Sequence, residues 1–201
     1  MRDYDVREAM RSWLSAQFAH DPNSRFVEEM CVWNGSARID MAVINGSMHG
    51  FEIKSERDTL ARLDEQMALY DQVFDRLTLV AAEKHLLKAE SRVAPWWGLT
   101  GVRIVDGRLT LRVVRRAKKN PSRDKVQIAR LLWKSEQLCI LEKIGLAKGA
   151  RSKSAEQLCT LLATSLSERA LSAHVRESLK ARSGWLGKPR VDQVEMPAGT
   201  N

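Results

Sequence analysis

The chain has 201 residues, 44% of them apolar, with 33 Lys+Arg against 25 Asp+Glu and a net charge of +8; that is enough to bury one core with a smaller module beside it. No apolar run is long enough to cross a bilayer, and Asp3, Asp5 and Glu8 stand where a signal peptide would be hydrophobic, so the expectation is a cytoplasmic protein with no membrane partner. Cys31, Cys139 and Cys159 are odd in number and lack a Cys-x2-Cys pair, which speaks against a disulfide framework or a zinc site and reads as reduced core cysteines.

In chain order, Asp3 to Phe18 carries Val6, Met10, Trp13 and Leu14 at helical spacing, and Phe26 to Trp33 reads as a strand interrupted by Glu28-Glu29. Ser36 to Ile44 and Met48 to Lys54 read as two strands around Asn45-Gly46. Ser55 with Asp58 looks like a helix start, followed by the apolar stripe Leu60, Leu63, Met67, Tyr70, Val73 and Phe74. Leu77 to Ala82 is a short buried strand. Glu83 to Arg92 is helical up to Pro95, Trp96-Trp97 reads as packing beneath the sheet in preference to stacking on bases, and Val102–Asp106 with Arg108–Val114 form a hairpin about Asp106-Gly107.

The turn signal Asn120-Pro121-Ser122 separates a strand-rich part, residues 1–118, from a basic helical module, residues 122–182. In the latter, Val126–Trp133, Ser135–Ile144, Ser154–Ala163 and Ser167–Arg182 have helical periodicity, with Ser135, Ser154 and Ser167 as caps. The last two could form a helix-turn-helix with Arg169, Arg176 and Lys180 outward. Residues 183–201, rich in Gly, Pro and polar residues, read as a flexible tail.

The chemistry-bearing stretch is Arg38-Ile39-Asp40 followed by Glu52-Ile53-Lys54. A hard divalent cation takes oxygen ligands, which Asp40, Glu52 and the backbone carbonyl of Ile53 would supply for Mg²⁺ or Mn²⁺. Lys54 lies two residues from Glu52 on one strand, so its ammonium points to the same side, where it can orient or help deprotonate an attacking water. Side chains alternate along a strand, which makes the loop length decisive. A two-residue Asn45-Gly46 turn would pair Asp40 with Phe51; a three-residue loop through Ser47 pairs Asp40 with Glu52, and that odd-length loop, or a bulge, is the expectation. His20, His49, His85 and His174 fit no ligand spacing.

Charge is unevenly spread. Residues 1–107 hold 13 Lys+Arg and 17 Asp+Glu, net −4, whereas residues 108–201 hold 20 and 8, net +12. The basic residues Arg112, Arg115, Arg116, Lys118, Lys119, Arg123, Lys125 and Arg130 would set up a field suited to a phosphate backbone.

The acids and lysine, with Gln66-Met67-Ala68-Leu69-Tyr70 twelve residues past Lys54, resemble the PD-(D/E)xK nuclease superfamily and its RecB-like Gln-x3-Tyr variant over roughly residues 3 to 116. No proline precedes Asp40, a departure from the superfamily's first motif. The span from Gly50 to Tyr70 also looks like a family of uncharacterised bacterial proteins within that superfamily. The resemblance implies an α/β restriction-endonuclease-like core (helix, β-meander, helix, strand), here with a C-terminal helical module. It implies catalytic roles for Asp40, Glu52 and Lys54, and nucleic-acid placement by Gln66 and Tyr70. It further implies that one of Glu28 and Glu29 is an additional acid near the metal, and alternation favours neither. The expected function is metal-dependent phosphodiester hydrolysis in DNA, with Arg112, Arg115, Arg116, Lys118, Lys119 and Arg123 on the nucleic acid. The C-terminal helices would serve a second copy or a protein partner. The alternative is a non-catalytic nucleic-acid- or partner-binding protein that keeps the nuclease fold.

Overall fold

A computed structural model describes residues 1–182, for Asn34 in its backbone only. Those residues form a mixed α/β structure. One six-stranded sheet, in the order β1-β2-β3-β4-β5-β6, is built from β1 (Arg25–Val32), β2 (Ala37–Ile44), β3 (Met48–Lys54), β4 (Arg76–Ala82), β5 (Gly98–Val105) and β6 (Arg108–Arg115). The first three strands and the last two run antiparallel, whereas β3, β4 and β5 are parallel, joined through α2 (Leu63–Tyr70) and α3 (Glu83–Glu90).

Both faces of the sheet are covered, as buried parallel strands require. On one face, α1 (Asp3–Phe18) lays Val6, Met10 and Leu14 onto Met41, Val43, Phe51, Ile53, Val80 and Val102. On the other, a larger apolar cluster runs from Ile39, Leu77, Leu79 and Leu99 through Phe74 and Trp97 into α4 (Lys125–Ala129), α5 (Lys134–Lys143), α6 (Ala155–Ser165) and α7 (Glu168–Ala181). The C-terminal helices therefore share the sheet's core. The turn at Asn120 is held to it: Asn120 donates to Asp71 O at 2.6 Å and Phe74 O at 3.0 Å, and is 6% exposed.

The loop between β2 and β3 has three residues, Asn45 to Ser47, and the ladder runs Ile44↔Met48, Val43↔His49, Ala42↔Gly50 and Met41↔Phe51. Continued by one step, this register sets Asp40 opposite Glu52, the odd-length pairing that the alternation demanded. The alternation itself breaks at Asp40. Met41 and Val43 lie in the cluster under α1, whereas Ile39 lies in the other cluster with Ala42 and Ile44. On β1 the partner residue does the same: Glu29 adopts φ 54°, and Val27 and Met30, three apart, share one cluster. Gly50 makes the crossing of Ile39 possible, since a Cβ there would come within 2.4 Å of Ile39 Cδ1 and 2.8 Å of Leu77 Cδ2.

Several expectations need correction. The helix after Lys54 starts at Leu63, because Ser55 and Asp58 close on each other instead: Asp58 Oδ2 accepts from Ser55 N at 2.7 Å and Ser55 Oγ at 2.6 Å, forming a turn. β5 begins at Gly98, four residues before Val102, since parallel pairing with β4 starts at Thr78↔Gly98. Ser154 and Ser167 cap α6 and α7, but Ser135 lies inside α5, whose start is closed by Glu136 accepting the Trp133 N–H at 2.7 Å. Cys31 and Cys139 are exposed, and only Cys159 is a core cysteine. Arg176 faces Asp75 at 4.0 Å instead of projecting outward. The tail expected for 183–201 lies outside the described residues. Among the described residues no helix is long and apolar enough to cross a membrane.

Candidate active site

The β2–β3 ladder ends at Met41↔Phe51, and just beyond it the Asp40 carboxylate takes over a main-chain partner: its Oδ2 accepts the Ile53 N–H at 2.7 Å. The N–H and C=O of a strand residue point to the same side, so the Ile53 carbonyl also faces Asp40's strand. Asp40 thus sits at a local opening between two strands that are otherwise tightly paired.

Glu52 and Lys54 occupy the opposite face from Phe51 and Ile53, under α2. Lys54 Nζ donates to Glu52 Oε1 at 2.8 Å and to Gln66 Oε1 at 2.9 Å, while Gln66 Nε2 donates to Glu52 Oε1 at 2.7 Å. Three side chains close a ring of hydrogen bonds. Gln66 and Tyr70, one helical turn apart on α2, lie on one face as i,i+4 spacing dictates, with Gln66 Nε2 3.5 Å from the Tyr70 hydroxyl. Tyr70 in turn donates to the Arg38 carbonyl at 2.7 Å, tying α2 to the strand that carries Asp40. Glu52 is 2% exposed and Lys54 8%, so the site is sheltered, not a solvated strand face. Within this shelter Glu52 Oε2 has no hydrogen-bond partner.

The electrostatics follow from that burial. Asp40's carboxyl is pushed up to about 7, first by desolvation and then by the charge of Glu52, against the opposing pull of Arg7 and the Ile53 N–H. Burial and the neighbouring Glu52 likewise raise the Tyr70 phenol far above its ordinary value, which keeps it a neutral donor. Two carboxylates therefore stand close in a poorly solvated place, each with one cation, Arg7 on Asp40 and Lys54 on Glu52. His49, on the other face, stacks on Phe51 at 4.2 Å and contacts Thr78 Oγ1 at 2.8 Å; burial and Arg76 push it down to about 4.

Glu28 and Glu29 are told apart by the structure. Glu28 is held by Arg11 of α1, with Arg11 Nη2 to Glu28 Oε2 at 2.7 Å. Glu29 instead meets Arg7 Nη1 at 2.6 Å, and the same guanidinium bonds Asp40 Oδ1 through Nη2 and Asp3 through Nε. Of the two acids, Glu29 is the one linked to the site. Arg7 and Asp3 escaped the sequence reading: their own spacing of four on α1 was visible, but the partner carboxylate Asp40 is 33 residues from Arg7. Among the described residues no three His, Cys, Asp or Glu side chains converge as a ready ligand group. A cation at this site would take Asp40 and Glu52, with main-chain oxygen and water completing its shell.

Of the expected phosphate-binding residues, Arg112, Arg116, Lys118 and Lys119 are exposed on β6 and the strap that follows it. Arg115 is partly turned inward, its Nε donating to Trp97 O at 2.8 Å. Arg123 does not belong with them. Its side chain is 4% exposed and contacts Asp75 at 2.8 Å and Glu168 at 2.5 Å, so the guanidinium joins α7 to the sheet.

This fold and cluster, an α/β sheet with two acids and a lysine at an opened strand pair, lie within the span that one family model matches. The bacteriophage P4 protein cII family model matches residues 1–187, and the chain belongs to that family. Protein cII of Enterobacteria phage P4 is 29% identical over 146 residues, which is 73% of this chain and 55% of that protein, so the chain spans about half the length of this relative. Among solved structures, a protein of unknown function from Silicibacter pomeroyi is 20% identical, covering 66% of this chain and 84% of that one with a TM-score of 0.37.

Proposed function

We propose that the protein is a divalent-metal-dependent nuclease with a PD-(D/E)xK-like, restriction-endonuclease-like core, acting on DNA. The observation that carries this reading is the buried ring of Glu52, Lys54 and Gln66, with Glu52 Oε2 left unpartnered beside an Asp40 that burial and Glu52 hold near neutrality. A binding surface has no use for an unpartnered buried carboxylate oxygen, which costs free energy unless a cation or donor meets it. The oxygen-only donor set fits Mg²⁺ or Mn²⁺, with Asp40, Glu52 and the Ile53 carbonyl as ligands and Glu29 at one remove. When bound, such an ion supplies Lewis acidity to a phosphate oxygen and acidifies a water.

The chain's own groups do the rest. Lys54, held in one rotamer by Glu52 and Gln66, presents its ammonium to the attacking water and offsets phosphate charge. Gln66 fixes that lysine, while Tyr70, expected on the nucleic acid, is fully buried and instead braces Gln66 from behind; Arg112, Arg116, Lys118 and Lys119 attract the backbone at long range. The Arg7–Asp40 ion pair and the shelter of Glu52 favour a second reading, a nucleic-acid- or partner-binding protein that keeps the fold without the chemistry. Incubating purified protein with labelled single-stranded, double-stranded and branched DNA in Mg²⁺ or Mn²⁺, beside Asp40→Ala, Lys54→Ala and an EDTA control, separates the two. Cleavage that needs metal and both residues is expected. DNA binding without cleavage, unchanged in both variants, would leave the second reading standing.

A further inference from the structure

Arg7 reaches the acids from the far side of the sheet. It projects from α1, its side chain is 15% exposed, and its three nitrogens each meet a different carboxylate: Asp3 at 2.5 Å, Glu29 at 2.6 Å, and Asp40. Glu29, which completes the arrangement, holds a left-handed backbone at φ 54° in the middle of a strand, a conformation a non-glycine residue adopts only where its surroundings impose it. Its other oxygen meets Arg38 Nε at 2.5 Å, so the acceptor for Arg7 is itself fixed. On the opposite side of Asp40, the Glu52 Oε2 atom is buried and unpartnered. One side of Asp40 is thus held by a cation, while the neighbouring Glu52, paired with Lys54 through Oε1, keeps Oε2 unpartnered.

We infer that Arg7 is an exchangeable counter-ion for Asp40: a divalent cation entering between Asp40 and Glu52 displaces its guanidinium from Asp40 Oδ1, leaving it held by Asp3 and Glu29. This rests on the metal-site reading above. The geometry gives Arg7 somewhere to remain, since two of its three carboxylate partners are not Asp40. It also makes the two cations mutually exclusive at one oxygen, because a guanidinium and a divalent ion on the same Asp40 oxygen repel. The consequence is linkage: whatever free energy the Arg7–Asp40 ion pair contributes is subtracted from metal affinity.

The test is Mn²⁺ binding to the full chain, read as free Mn²⁺ by electron paramagnetic resonance. Arg7→Gln is set against Arg11→Gln, which removes the same charge from the same helix but pairs with Glu28 and Glu8. Arg7→Gln is expected to bind Mn²⁺ at least about fivefold tighter than the unmutated chain, the low end of such couplings, with Arg11→Gln close to the unmutated value. Equal tightening in both variants would reduce the effect to general electrostatics and overturn the inference, as would unchanged or weaker binding in Arg7→Gln. No Mn²⁺ binding in any of the three would overturn the metal site together with it, whereas binding of equal strength in all three would overturn the exchange alone. A second measurement needs no loss of the arginine: in the unmutated chain the Arg7 Nε–H resonance, assigned by its absence in Arg7→Lys, should move on adding Mg²⁺ while that of Arg11 stays. An immobile Arg7 signal at saturating Mg²⁺ would refute displacement.

Discussion

Asp40 Oδ2 accepts the Ile53 N–H at 2.7 Å, where the β2–β3 ladder would otherwise have continued. The candidate metal ligand Asp40 is therefore also a piece of the sheet, and the two roles separate by substitution. Asp40→Ala strands the Ile53 N–H and should cost about 1–3 kcal/mol, the penalty for a lost buried partner. Asp40→Asn keeps an oxygen for that N–H, so it should unfold at higher urea than Asp40→Ala while equally abolishing metal-dependent cleavage. Equal urea midpoints for the two would show that the main-chain bond contributes nothing.

Lys54 and Glu52 form a sheltered ion pair, with side chains 9% and 2% exposed. Removing one partner of such a pair costs about 3–5 kcal/mol because the other charge is left alone, whereas replacing both costs far less. Lys54→Met should therefore destabilise the metal-free protein more than the Glu52→Gln, Lys54→Met double variant. Urea unfolding of the two singles and the double gives the coupling directly. Additive losses would mean that the pair is not a unit and that Gln66 alone holds Lys54.

Stability should depend on pH through two buried groups of opposite sign. Asp40, raised from 3.8 to about 7, keeps its proton more tightly in the fold than in the unfolded chain, so its contribution is full below pH 3.8 and is lost as pH rises through 7. His49, lowered from 6.5 to about 4, is neutral in the fold; its contribution is present above pH 6.5 and is lost as pH falls through 4. Between pH 4 and 6.5 they oppose each other, each changing stability by at most about 1.4 kcal/mol per pH unit. The urea midpoint of His49→Leu should then fall more steeply from pH 4.5 to 7 than that of the unmutated protein. A variant with the same slope would show that His49 does not titrate as its burial implies.

Much of this architecture could be read from local pattern. The first helix, Asp3–Phe18, and β3, Met48–Lys54, fall where the periodicity placed them, and the three-residue loop followed from requiring Asp40 and Glu52 to face each other. What was hidden depends on residues distant in the chain. The phase reversal at Asp40 needs the left-handed Glu29 on the neighbouring strand and the bare Cα of Gly50, neither of which alternation encodes. The role of Arg7 needs α1 laid across the sheet, and Arg123 read as surface charge because its partners, Asp75 and Glu168, lie 48 and 45 residues away. The candidate site's acids could be placed opposite each other from sequence because their spacing lies within one hairpin.

Gly50 gives that point a test. A methyl group there would meet Ile39 Cδ1 at 2.4 Å, Leu77 Cδ2 at 2.8 Å and Phe74 Cδ1 at 3.2 Å, in the strand between His49 and Phe51. Overpacking of a well-filled core costs about 1–3 kcal/mol, so Gly50→Ala should lower the unfolding midpoint. Because Ile39 precedes Asp40, the same change should also weaken Mn²⁺ binding. Loss of stability with unaltered Mn²⁺ affinity would mean that the crossing of Ile39 does not position the carboxylate.

The basic residues divide into two groups that experiment can tell apart. Arg112, Arg116, Lys118 and Lys119 are exposed, whereas the Arg123 side chain is 4% exposed between Asp75 and Glu168. If the first group meets a phosphate backbone, each phosphate left without its cation lowers the slope of log affinity against log salt by about 0.9 on duplex DNA. Arg112→Gln with Arg116→Gln should thus reduce the slope by up to about 1.8 with the unfolding midpoint nearly unchanged. Arg123→Ala should act inversely: it leaves Asp75, whose Oδ2 also accepts the Met48 N–H at 2.8 Å, without its nearest cation, and should destabilise the fold by about 3 kcal/mol while the salt slope stays put. A slope that responds to Arg123 and ignores Arg112 and Arg116 would move the nucleic-acid surface away from β6 and toward the helices.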